Sequence, residues 1–109
     1  MSDLEDIIMD ELNVSVLAGS VYDTWEDGTL LYSLCDEDIK EFMDDYNIIK
    51  KILITHTHAF MNGKNINVRI IDNLNYVYTH LQSIYEGTCI EYENHPEYTW
   101  NRSMFAIME

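Results

Sequence analysis

The stretch Ser20-Val21-Tyr22-Asp23-Thr24-Trp25-Glu26-Asp27-Gly28-Thr29-Leu30-Leu31-Tyr32-Ser33-Leu34 sets the expected fold class. Asp-Gly between two runs of strand-forming residues is a strong short-range hairpin signal, because the primed turns need positive φ at their centre. Ser20–Trp25 and Thr29–Leu34 are the expected arms, and the whole span 14–35 reads as extended. Val14, Val16, Val21, Tyr22, Thr24 and Trp25 lead into the turn, and Leu30, Leu31 and Tyr32 follow it. Gly19 fits a turn or a bulge. With this hairpin the domain is α+β.

C-terminal to the hairpin the period changes from two to 3.6. Asp36 is the expected N-cap of a helix. Ile39, Phe42, Met43, Tyr46, Ile49, Ile52, Leu53, His56 and Phe60 continue one apolar stripe along it. Asn62-Gly63 is a natural stop, since glycine supplies the left-handed cap. A further helix is expected from Val68 to Glu86, with Ile70, Ile71, Leu74, Val77, Tyr78, Leu81, Ile84 and Tyr85 as its stripe and Gly87 closing it. The two helices form an antiparallel pair. Ile48–Thr57 is β-branched enough to read as a strand, with Asn62-Gly63 as a hairpin turn. The period that holds through both segments favours the helices.

Before the hairpin, Ser2 with Glu5 matches a capping box. Leu4, Ile7, Ile8 and Leu12 recur at helical spacing, and Asn13 ends this first helix. After the long helices, Thr88–Glu93 and Tyr98–Ile107 read as the arms of a short C-terminal hairpin around Asn94-His95-Pro96. The expectation is a single domain over residues 1–109. It is helix-rich, with an N-terminal β-hairpin, an antiparallel pair of long helices and a short C-terminal hairpin.

A chain of 109 residues with 47% hydrophobic and 12% aromatic content can bury a core. A domain of that size removes roughly 60–70% of its unfolded surface from water. Only two cysteines are present, Cys35 and Cys89, and two thiols are favoured over a disulfide. No apolar run approaches the ~20 residues that span a bilayer. Met1-Ser2-Asp3-Leu4-Glu5 is acidic where a secretory signal would be basic. A cytoplasmic protein without a membrane partner is expected.

The unusual quantity is charge, −14 in total. Residues 1–46 hold fourteen acids against the single base Lys40 and so carry −13. Residues 47–87 carry +2 and residues 88–109 carry −3. Self-repulsion of this kind costs stability and nothing in folding requires it. An asymmetry this large points to an electrostatic interaction surface. On the second helix Glu37, Glu41, Asp44 and Asp45 share one side, as neighbours three and four apart do, about 5–6 Å from one another. Asp3, Asp6 and Asp10 occupy one side of the first helix, and Glu26 and Asp27 sit in the turn. These nine residues are the candidate partner-binding site.

Duplex DNA presents one negative charge per ~1.7 Å of axis, and proteins meet it with Lys and Arg. A folded acidic surface can occupy the same basic groove. Direct contact with nucleic acid is disfavoured by like charge, and Lys50, Lys51, Lys64 and Arg69 are too few for a nucleic-acid footprint.

Other chemistry finds little support. His56-Thr57-His58 would share a face on a strand, but on a helix the two imidazoles diverge by about 200°. His80 and His95 have no ligand spacing near them, and Asp23, Glu26 and Asp27 lack the calcium-loop pattern. No metal and no cofactor is expected. There is no GxSxG, no phosphate-cradling glycine loop and no HExxH, so no catalytic residue is assigned.

In being small, acidic and aromatic-rich, the chain resembles virus-encoded inhibitors that mimic DNA against host defence enzymes. The likeness is one of charge and size, without a shared motif. It implies a non-enzymatic inhibitor that blocks a basic, nucleic-acid-binding protein, in the host cytoplasm if the source is a virus. The alternative is an assembly subunit, such as a homodimer, built through Tyr76, Tyr78, Tyr85, Tyr92, Tyr98 and Trp100. In that case the acid serves solubility.

Overall fold

A computed structural model of the chain describes residues 10–95, 97, 100 and 105. They form three α-helices, α1 (Glu11–Thr24), α2 (Asp36–Met61) and α3 (Val68–Asn94), with a 3-10 turn at Leu31–Ser33. The described residues contain no strand, so the expected α+β class is wrong and the domain is all-helical.

The error begins at α1. Its composition is valine-rich, yet Val14, Ala18, Val21 and Trp25 recur at intervals of four, three and four, and all four are buried. That is a helical stripe. Packing one stripe onto α3 outweighs a weak β preference, which mostly measures fit to a half-buried pleated surface. Asp10 caps the helix, its carboxylate accepting from the Asn13 N–H at 3.1 Å. A helix thus starts at Glu11, within two residues of where the first helix is expected to end at Asn13; that expected helix, up to Met9, lies outside the described residues. The capping box at Ser2 and Glu5 lies outside the described residues.

Asp27-Gly28 does make a turn. Thr29 N–H donates to the Glu26 carbonyl at 3.2 Å, and Gly28 sits at φ +85°, where a side chain would be strained. What flanks the turn is not a pair of strands. Its N-terminal side is the end of α1. On its C-terminal side the Leu31 N–H donates to Thr88 Oγ1 of α3 at 3.1 Å, and that hydroxyl donates to the Ile84 carbonyl at 2.8 Å. A buried backbone donor needs a partner. Here a fully buried threonine supplies it and no second strand is needed.

α2 and α3 run antiparallel, and the parts of the stripes that face each other are as expected from the period. Ile39, Phe42, Tyr46, Ile49, Ile52 and His56 of α2 are buried, as are Ile70, Leu74, Val77, Leu81, Ile84 and Tyr85 of α3. The N-cap of α2 is Cys35. Asp36, Glu37 and Asp38 occupy the first turn, where negative charge suits the helix dipole. At its far end Gly63 at φ +83° donates to the Phe60 carbonyl and Lys64 N–H to Ala59, a Schellman cap. Ile48–Thr57 is helical throughout.

α3 does not stop at Gly87 but continues to Asn94, so the expected strand Thr88–Glu93 is helix. A glycine inside a helix costs about 1 kcal/mol relative to alanine. The contacts made beyond it outweigh that cost. Thr88 is fully buried, and the Tyr92 ring lies 6.3 Å from Tyr32 and 5.4 Å from Trp100. Of the second expected arm only Trp100 and Phe105 are described, and both are buried in the core and outside any strand.

At 1.5 Å per residue α1 is about 21 Å long, against about 39 and 40 Å for α2 and α3. It therefore covers only part of the groove between them. Tyr22 meets Tyr76 and His80, and Trp25 meets Phe42, so α1 lies parallel to α3 and antiparallel to α2. The segment 25–35, together with Trp100 and Phe105, covers the rest. Phe105 packs on Phe42 and Tyr85, at 6.3 and 5.7 Å between ring centroids. The resulting rod measures 50 × 24 × 23 Å.

Candidate partner-binding surface

The functional geometry collects where α1 ends. The Trp25 ring is buried edge-on against Phe42 at 5.2 Å, and its indole N–H donates to Asp45 Oδ2 at 2.8 Å. That bond ties the Glu26–Thr29 turn to α2, next to Asp44 and Glu41. Burial holds the Asp45 carboxyl above the usual carboxylate range; the indole bond opposes that rise and the Asp44 charge adds to it. Asp45 is thus partly committed to the fold, whereas Glu37, Glu41 and Asp44 are exposed on the outer side of α2.

The nine expected partner-binding residues do not all come together. Trp25 bonds Asp45 and so sets the turn that carries Glu26 beside Asp45 and its neighbour Asp44, with Glu41 one turn and Glu37 two turns before Asp45 on α2. Asp10 caps the opposite end of α1, about 20 Å away along that helix. Asp3 and Asp6 lie outside the described residues. Asp27 turns to the other side of the turn, towards α3.

There it meets the group that sequence reasoning passed over, His80. Its side chain is buried, with Nδ1 3.2 Å from Asp27 Oδ1 and Nε2 2.5 Å from the Trp25 carbonyl. Both oxygens are acceptors, so each contact calls for a ring N–H. A neutral imidazole supplies one and an imidazolium both. The Trp25 carbonyl belongs to the C-cap of α1. The Asp27–His80 pair is therefore a clamp between the turn and α3. Both ring nitrogens are engaged.

Beside the clamp lies a cleft of about 460 Å³ between the turn and α3. Asp27 and Asp72 contribute carboxylates, Tyr22 and Tyr76 contribute rings, and Asn75 and Ser83 contribute neutral polar groups; no lysine or arginine lines it. The two tyrosine rings stand 5.5 Å apart at 33°, with their hydroxyls 3.5 Å from each other. The Tyr76 hydroxyl, then its charge, then burial and the nearby Asp27 and Asp23 all raise the Tyr22 phenol, so it stays neutral. Tyr22 also lies 4.4 Å from the His80 ring. A hint was present in the sequence: Asp72, Tyr76 and His80 repeat every four residues along one side of α3.

The aromatic residues proposed as an oligomer face are mostly turned inward. Tyr85 and Trp100 are buried, and Tyr78 and Tyr92 are half-buried against the core; Tyr76 is 64% exposed and Tyr98 lies outside the described residues. Tyr78 stacks on Tyr46 with hydroxyls 3.0 Å apart, and burial, reinforced by that bond, pushes its phenol up to about 12. Cys35 is an exposed free thiol and Cys89 a half-buried one. Among the described residues no group of three or more His, Cys, Asp or Glu side chains could hold a metal ion, and no helix is long and apolar enough to cross a membrane.

Comparison of the chain with protein-family models, with curated proteins and with solved structures returned no match.

Proposed function

We propose that the protein is a non-enzymatic acidic inhibitor or regulator that blocks a basic, nucleic-acid-binding surface on another protein, as DNA-mimicking viral inhibitors of host defence do. The observation that carries this reading is the Trp25–Asp45 hydrogen bond. It joins the acidic turn to the acidic side of α2, so that Glu26, Glu41, Asp44 and Asp45 form one surface on a chain of net charge −14. The buried indole fixes the turn beside α2, and so where the charges lie, while the exposed Glu41 and Asp44 carboxylates stay solvated. The acids are sparser than phosphates, so the mimicry is partial and covers one stretch of a basic groove.

The test begins with the full chain as bait in its native host, with co-purifying proteins identified by mass spectrometry. The captured target is expected to bind nucleic acid, and duplex DNA or RNA is expected to displace it from the chain. A target that holds the chain and its nucleic acid together at full affinity contradicts the proposal.

A further inference from the structure

We infer that the cleft between the Glu26–Thr29 turn and α3 is a receptor for one arginine side chain of the basic partner. The inference rests on the function proposed above and names the contact that anchors it. The volume of about 460 Å³ falls within the roughly 300–1,000 Å³ of ordinary ligand pockets, ample for a guanidinium and its stem.

Three features separate this cleft from a merely acidic surface. The first is its chemistry. Asp27 and Asp72 offer carboxylates without a competing lysine or arginine, and Asn75 and Ser83 offer neutral hydrogen-bonding groups. Asp27 spends Oδ1 on His80, while its Oδ2 and both oxygens of Asp72 accept no hydrogen bond from the described residues.

The second is shape. Two tyrosine rings 5.5 Å apart form a tilted wall. A planar guanidinium stacks on such a face and forks onto carboxylates, and a compact ammonium does this less well.

The third is preorganisation. Buried His80 reaches the Trp25 carbonyl with one nitrogen and Asp27 with the other, and Tyr22 packs on its ring. Groups already fixed from the core lose little freedom on binding.

The test uses the full chain labelled with ¹⁵N and three tripeptide amides, Gly-Arg-Gly, Gly-Lys-Gly and Gly-citrulline-Gly. The arginine peptide is expected to shift the amides of Asp27, Asp72, Tyr76 and His80 far more than those of Glu37, Glu41 and Asp44. It is expected to bind more tightly than the lysine peptide, with the neutral citrulline peptide weakest. Asp72→Asn and Tyr76→Leu alter exposed side chains, so the fold survives them. Each is expected to weaken the arginine peptide by roughly three- to tenfold. Shifts spread evenly over all acidic surfaces, or equal binding of arginine and lysine, overturn the inference.

The same variants on the captured target separate this inference from the proposed function. An anchor acts on release, so Asp72→Asn is expected to speed dissociation and leave association nearly unchanged. If dissociation is unaffected while association remains steeply salt-dependent, the anchor is wrong and the acidic-surface function stands. If association is independent of salt, the function fails even where the peptide still binds in the cleft.

Discussion

The outer side of α2 and the cleft beside α3 are both acidic, and they are built differently. Glu37, Glu41 and Asp44 project into water from a single helix, with nothing aromatic or buried fixing them. Asp27 is held by His80, which is held in turn by Trp25, and Asp72 lines the same cleft one turn before Tyr76 on α3. Charge without fixed geometry raises encounter rates and is screened by salt. Charge set in fixed geometry gives lifetime and selectivity. Trp25 touches both regions, offering its indole N–H to α2 and its carbonyl to α3.

The most damaging way to break the comparison is to remove that shared residue. Trp25→Ala empties a buried site against Phe42 and leaves Asp45 without its indole donor. Large-to-small replacement of a buried tryptophan costs about 3–5 kcal/mol. Thermal unfolding is expected to show a loss of that size, and a variant within 1 kcal/mol of the parent would mean that Trp25 ties nothing together.

A second prediction sharpens the comparison at high pH. The Tyr78 phenol, raised to about 12 in the folded chain, ordinarily titrates near 10. Between those values the folded state holds a proton that the unfolded state releases. Its contribution is complete below pH 10 and is lost as pH rises through 12. Unfolding monitored from pH 9 to 12 is expected to show a steeper decline for the parent than for Tyr78→Phe. Identical slopes would exclude this pair as a source of alkaline sensitivity.

The smallest effect concerns Asp45. Its carboxyl is raised chiefly by burial, so the folded chain binds that proton more tightly than the unfolded chain does. Stability from this group therefore rises as pH falls through the window just above the usual aspartate range. It is lost again as pH climbs past the raised value. Asp45→Asn keeps an oxygen for the Trp25 indole and removes the charge. A slightly higher Tm at neutral pH and a flatter response to mild acid are expected. A clear loss of Tm would mean that the charge-assisted hydrogen bond outweighs burial.

What the sequence made legible follows from how local each feature is. The stripes of α2 and α3 repeat over many turns, so their period overrode the β-branched run Ile48–Thr57. Asp-Gly and Asn-Gly marked real turns because positive φ is a local demand. α1 was misread because composition was weighed above the buried spacing of Val14, Ala18, Val21 and Trp25. The extension past Gly87 was invisible for another reason: it depends on Thr88 meeting Leu31 and on Tyr92 meeting Trp100, contacts far apart in the chain. The same split holds for the site. The acidic side of α2 could be read from one helix. The cleft draws on Tyr22, Asp27, Asp72, Tyr76 and His80, which only the parallel packing of α1 on α3 brings together.

The central claim is that the acidic surface around the end of α1 acts by charge on a basic partner. The measurement that tests it is association rate with the captured target as a function of ionic strength. It compares the parent with charge reversal at Glu37, Glu41 and Asp44 and with neutralisation of Glu91, Glu93 and Glu97. The account predicts a steep fall in rate between low and moderate salt. It predicts a slowing of tenfold or more for the α2 set, within the 10–10³ range of electrostatic steering, and little change for the C-terminal set. A rate independent of salt, or equal losses from the two sets, would contradict it and leave the acid as a solubilising surface.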